Sequence, residues 1–365
     1  MTTERPELAS SRPAVHPGPG ADPGPVAGNW GPWINRLGPL LALLVIHGFF
    51  AALAPEMLSL RALEIITIQT VIVGTAAVGM TVVIISRGID LSVGSIIAFS
   101  SVVAAGLLRG FALPLPVPEA VLTWHVWWLH VPPIPALPAV MCGVLAGGVC
   151  GLFNAFIITR AKVVPFIVTL GTLLVIRGAA KGLAQSAPIN IDNEWITSFV
   201  RTLAPSERWR LLPAGAWAMI VLAGAFWALL RYTKLGRHTF AIGSNEQTAR
   251  LCGVAVERVK LWVYGLSGAC AGLAGVMLLS RQRQGDPTGA MGYELDVIAA
   301  VVIGGGSLAG GEGSIFGSIV GALIMTVIRT GCNLQGQQTW VTQVVAGVII
   351  IIAVALDRLR HRRVA

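Results

Sequence analysis

Ten mostly apolar runs, near residues 39–55, 63–85, 92–109, 137–158, 164–182, 213–230, 261–280, 294–305, 314–331 and 340–356, fill most of the chain. A helix crosses ~30 Å of hydrocarbon in about 20 residues while satisfying its own backbone hydrogen bonds, and most of these runs have that length. The eighth is shorter and rich in glycine. Only 12% of residues are charged, about half the fraction usual in soluble domains. The expected fold is therefore an all-α integral membrane protein of about ten transmembrane helices, close-packed through glycine. Residues 1–36, rich in Pro, Gly and Ala, are expected to be a disordered cytosolic tail, 37–357 the membrane domain and 358–365 a basic cytosolic tail. The first run is followed by a small-residue triplet, as in a signal peptide. It begins late, however, and Pro55 suits cleavage badly, so it reads as the first span.

The net charge of +9 comes from basic residues in short segments between apolar runs, which fits membrane orientation rather than nucleic-acid binding. An even number of spans puts both termini on one side. Sixteen of the 26 Lys and Arg then fall on that side, eight opposite and two, Arg177 and Arg329, inside spans. The excess places both termini in the cytosol of a cell (inner) membrane protein. The five cysteines have no zinc-ligand spacing and read as packing residues. Two outer segments are long. Residues 110–137 place Trp124, Trp127 and Trp128 between prolines and read as an interfacial aromatic belt; His125 and His130 lack a third metal ligand nearby, so no metal is expected. Residues 185–212 either dock an external protein or are simply solvated.

One polar insert, residues 231–260, stands out on the cytosolic side. Ser244 followed by Gln247 has capping-box spacing, with Glu246 in the first turn, Arg250 in the last and Gly253 beyond it. Residues 245–252 are expected to form a helix of about two turns. Such a helix is too short to stand alone and needs a surface to pack on. It is either a membrane-surface connector or the docking element of a soluble partner.

Four stretches together carry a resemblance: GMTVVIISRGIDLSVGSI (79–96), NAFIITRAKVVPFIVTLGTLLVIRG (154–178), TKLGRHTFAIGSNEQTARLCGV (233–254) and GYELDVIAAVVIGGGSLAGGEGSIFGSIVGALI (292–324). The chain resembles, over roughly 60–357, the permease subunits of ribose/xylose/galactose-type bacterial ABC importers, which share a wider family with branched-chain amino-acid permeases. The resemblance implies that Gly243, Ser244, Asn245, Glu246, Ala249, Arg250 and Gly253 form the coupling element seated on an ABC ATPase subunit. It also implies a permease homodimer, an extracytoplasmic sugar-binding protein, and ATP and Mg held by the ATPase, with no cofactor on this chain. Glu312 and Gly306 depart from the residues usual in that family, and the loop at 110–137 is longer and more aromatic.

Small-xxx-small spacings at Gly147/Gly151, Gly268/Gly272, Gly313/Gly317 and Gly317/Gly321 allow close helix approach. Residues 88–95 and 306–314 are alike. Asp90 is expected at the cytosolic boundary, capping the next helix, because a carboxylate deep in hydrocarbon costs on the order of 2.5–3.5 kcal/mol. Asn154, Thr169, Gln185, Asp90 and Glu294 are candidates to line a route for a hydroxyl-rich substrate. No nucleotide-binding or hydrolytic motif occurs. A monosaccharide importer subunit is the leading expectation. The alternatives are a permease for another small polar solute, such as a branched-chain amino acid or nucleoside, and an ion-coupled secondary transporter, which would bury ionisable residues mid-span.

Overall fold

The computed structural model describes residues 31–119, 123–203 and 205–362. All ten apolar runs are helical: α1 (Gly31–Leu53), α2 (Leu60–Ile85), α3 (Val93–Arg109), α4 (Ala136–Ala161), α5 (Pro165–Leu183), α7 (Ala214–Tyr232), α10 (Val256–Gln282), α11 (Tyr293–Ile303), α12 (Ile315–Leu334) and α13 (Thr339–Arg362). Between them lie the short α6 (Glu194–Thr197), α8 (Lys234–Ser244) and α9 (Glu246–Leu251). Residues 1–30 of the expected tail lie outside the described residues, and α1 opens at Gly31, ahead of the expected span. Among the described residues six helices, α2, α4, α5, α7, α10 and α12, are long and apolar enough to cross a membrane. With 11 residues, α11 rises only about 16 Å and cannot cross alone.

Turn chemistry sets the helix starts. Ser59 and Ser314 accept hydrogen bonds from Ala62 N (3.2 Å) and Gly317 N (3.3 Å), capping α2 and α12, while Pro165 supplies the first position of α5. Residues 110–137 hold a two-stranded antiparallel ribbon, β1 (Phe111–Glu119) and β2 (Thr123–Val131), where only a loop was expected. Pro114, Pro116 and Pro118 recur every second residue of β1, so their missing N–H groups all fall on one edge. A second small pair, β3 (Ile189–Asn190) with β4 (Gln284–Gly285), lies at the Gln282 end of α10.

The buried centre is α2, α10 and α12, enclosed by α3, α4 and α11. Glycine brings these helices together. On α4, Gly147 and Gly151 face Gly268 and Gly272 of α10 so closely that a Cβ at any of the four would meet opposing backbone. On α12, Gly317 and Gly321 lie against the carbonyls of Gly304 and Ala300 at the end of α11. Three of the four small-xxx-small spacings thus mark backbone contacts between two helix pairs; in the fourth, Gly313 packs against the Ile85 side chain instead.

Two glycine-containing reversals, the strings that look alike in sequence, join α2 to α3 and α11 to α12. They meet at the Val256 face of the bundle, where Gly311 N donates to Ile85 O (2.9 Å) and Gly310 lies against Arg87.

Candidate functional site

The 231–260 insert is two helices rather than one capped loop. Thr233 accepts from Gly236 N (3.2 Å) and starts α8, and Gly236 nests against the carbonyls of Leu229 and Leu230, folding α8 tightly back on α7. Helix α8 ends at Ser244. The N-cap of α9 is consequently Asn245, whose Oδ1 accepts from Thr248 N (3.0 Å), and not Ser244 as the capping-box spacing suggests. At the other end Gly253 has φ +82°; its N–H donates to Arg250 O (3.0 Å) and Val254 N to Ala249 O (3.0 Å). Those two bonds are the paired closure that a left-handed residue after a helix permits.

A fan of charges ties α9 to α10. Glu246 bonds Lys260 (2.8 Å) and lies 3.6 Å from Arg250, which bonds Glu257 (2.5 Å). The Glu257 carboxylate holds the Arg250 guanidinium above its ordinary pKa. Ala249 is buried beneath, fixing α9 to the bundle. Gly243 is buried too, against Ile85 O and Gly311 N, where a Cβ would clash with backbone. Of the seven residues expected in this element, Gly243 and Ala249 therefore form its footing, while Ser244, Asn245, Arg250 and Gly253 are exposed and Glu246 partly so. The sequence reading missed Leu251, the last residue of α9, which is 89% exposed. Its signal is an apolar residue between a charged residue and a C-cap, where no core can claim it.

Four of the five candidate pathway residues gather around the buried N-terminus of α3. Asp90 Oδ1 accepts from Ser92 N (2.9 Å) and Ser92 Oγ (2.5 Å), and Asn154 Nδ2 of α4 donates to Ser92 Oγ (2.8 Å). Thr169 of α5 donates to Ile89 O (3.3 Å), and the Glu294 carboxylate lies against Gly94. Asp90 is wholly enclosed and not at a boundary with water, and it does not cap α3: the N-cap position is Ser92, and Asp90 bonds Ser92 itself rather than an amide of the first turn. The positive end of α3 and the two Ser92 donors offset its burial. Asp90, Asn154 and Thr169 are all fully buried and, among the described residues, line no open cleft, while Glu294 is half-buried. Gln185 lies apart, exposed in a turn with φ +51° after α5. Arg177 of α5 donates to Pro287 O (3.1 Å) and Gly289 O (2.6 Å), anchoring the segment between β4 and α11.

An open cleft lies elsewhere, on the Gln282 face. It has a volume of about 540 Å³ and runs between α2, α11, α12 and α13, with Tyr293, Asp296, Arg329, Asn333 and Gln343 on its walls. Arg329 forms an ion pair with the buried Asp296, and its guanidinium sits 5.2 Å from the centroid of the Tyr293 ring. The five cysteines are free: Cys252 is exposed, Cys142 and Cys150 are half-buried, and Cys270 and Cys332 are buried.

Comparison with known proteins identifies relatives over most of the chain. The family described as branched-chain amino acid transport system / permease component matches residues 62–354. The ribose import permease of Escherichia coli K12 is 35% identical over 328 residues, covering 89% of this chain and 94% of that protein. Its Bacillus subtilis counterpart is 37% identical over 326 residues, covering 89% and 93%. The L-arabinose ABC transporter permease of Azospirillum brasilense is 34% identical over 354 residues, covering 95% of each. No solved structure matches the chain.

Proposed function

The chain belongs to the family of branched-chain amino acid transport system permease components, and on that premise we propose that it is the membrane-spanning subunit of an ATP-driven importer of a monosaccharide, a pentose or hexose. It is a multi-pass membrane protein. Its similarity to permeases named for ribose import and for L-arabinose transport supports the choice of cargo. The sequence holds no P-loop, so hydrolysis belongs to a separate ATPase pair holding ATP and Mg. A binding protein on the opposite side delivers the sugar, and two copies of the permease enclose the path. Both termini and the Val256 face lie in the cytosol.

The observation that carries this reading is α9. A two-turn helix closed at both ends, tethered to α10 through Glu246 and Arg250, and tipped by a bare leucine is a rigid knob. Burying a leucine side chain in a partner's groove contributes about 2 kcal/mol, and the surrounding charges orient the docking. The ATPase, pressing on this knob as it closes on ATP, biases the bundle between inward- and outward-facing states. The test is co-purification of the ATPase with the intact permease in detergent. Glu246→Lys reverses the central charge of the fan and is expected to abolish it, and Leu251→Asp to weaken it at least tenfold. Undiminished capture by both variants, or uptake that proceeds without any ATPase and follows a proton gradient, sinks the reading.

The family's own description favours a second cargo, a branched-chain amino acid. Thermal stabilisation of the binding protein encoded beside this permease, by ribose, arabinose or galactose but not by leucine, decides between them.

A further inference from the structure

We propose that the cleft on the Gln282 face is a monosaccharide subsite within the permease itself, with Gln69, Asn333 and Gln343 as its hydrogen-bonding side chains; the inference rests on the sugar-import reading above. Three features of the cleft point to this ligand class. The first is size: about 540 Å³ falls within the ~300–1,000 Å³ range of small-molecule sites and leaves room for one sugar ring with several waters.

The second is the kind of polarity presented. Gln69 on α2, Asn333 on α12 and Gln343 on α13 all line the cleft, and each carboxamide offers both a donor and an acceptor. Sugar hydroxyls likewise donate and accept, so amides on three separate helices match a ring carrying hydroxyls around its rim. The two buried-side charges, Asp296 and Arg329, satisfy each other. A zwitterionic amino acid would need a free cation and a free anion here. Among the described residues lining the cleft, Arg281 is the one charged side chain outside that ion pair. A neutral polyol costs the site no unpaired charge. Ala346, Gly347 and Ile350 supply an apolar wall on α13 that suits the C–H face of such a ring.

The third is place. The cleft opens at the end of the bundle opposite α9, the end at which a binding protein would release its sugar. It also lies between α13 and the α11–α12 pair, whose backbones touch through Gly317 and Gly321. A shift between those helices would reshape the cleft directly.

The experiment uses the complete importer, permease with its ATPase and binding protein, in proteoliposomes. Uptake of radiolabelled D-ribose, L-arabinose, D-galactose and L-leucine is measured beside ATP hydrolysis. Asn333→Leu and Gln343→Leu change exposed side chains and leave the core intact. Each is expected to lower sugar taken up per ATP hydrolysed about tenfold, with hydrolysis stimulated by the binding protein falling less than twofold. Gln343→Asn is expected to recover most of the loss. If wild-type protein imports a sugar and both leucine variants retain its uptake, the subsite is wrong and the importer reading stands. Uptake and hydrolysis falling together overturns the subsite as well, because the side chains would then serve the conformational cycle. Wild-type uptake of leucine, with none of any sugar, overturns both readings.

Discussion

Asn245 and Gly253 decide whether α9 exists as a helix, because six residues cannot sustain one without help at both ends. Replacing the N-cap by Asn245→Ala is expected to cost about 1 kcal/mol of local stability. Gly253→Ala forces a Cβ into the left-handed region at a cost of about 1 kcal/mol. Hydrogen exchange of the α9 amides reads both changes, which should speed exchange there and not in α10. Ser244→Ala, in contrast, removes no cap and should leave α9 exchange unchanged; acceleration there would restore the capping box. The sequence displayed the motif but not its register. Ser244 and Asn245 are both competent caps, and the choice between them depends on where α8 ends. That helix is visible only once Gly236 is seen folded on α7.

At the scale of elements, glycine spacing was legible but its pairing was not. Gly147/Gly151 and Gly268/Gly272 each read as faces for close approach, yet nothing in the sequence says that they face one another. That follows from the threading of α10 between α2, α3 and α4. Gly268→Ala must push apart two backbones in contact, and is expected to cost about 1–3 kcal/mol. Gly171→Ala on α5, where a Cβ meets nothing within 4 Å, should be neutral or slightly stabilising. Thermal unfolding of the detergent-solubilised protein compares them, and equal midpoints would remove the α4–α10 contact from the account. Asp90 shows a complementary limit. Its place just ahead of a helix was readable, whereas its bonds to Ser92 came only with the structure and its enclosure by α4, α5 and α10 depends on contacts tens of residues away. The cleft was illegible for the same reason: Gln69 and Gln343 meet only when α2 and α13 flank the same gap.

For the whole molecule, each apolar run forms a helix in the expected order, since hydrocarbon-length segments tolerate few other structures, while α6, α8 and α9 lie outside those runs. Length alone also marked α11 as the shortest of the ten. Orientation is open to a direct check, because Cys252 is the one exposed cysteine of five. A membrane-impermeant maleimide is expected to label it in inside-out vesicles and not in right-side-out ones, and Cys252→Ser should remove the label. The reverse pattern would turn the molecule over. The placement of α8 and α9 has a mechanical corollary. Gly243 rests on the end of α2 and on the α11–α12 reversal, and Glu246 and Arg250 grip the start of α10. The module thus stands like a tripod on the end of α2, the start of α10 and the reversal that leads into α12. Load applied at its tip is divided among all three legs, and no leg can be lifted while the others stay planted.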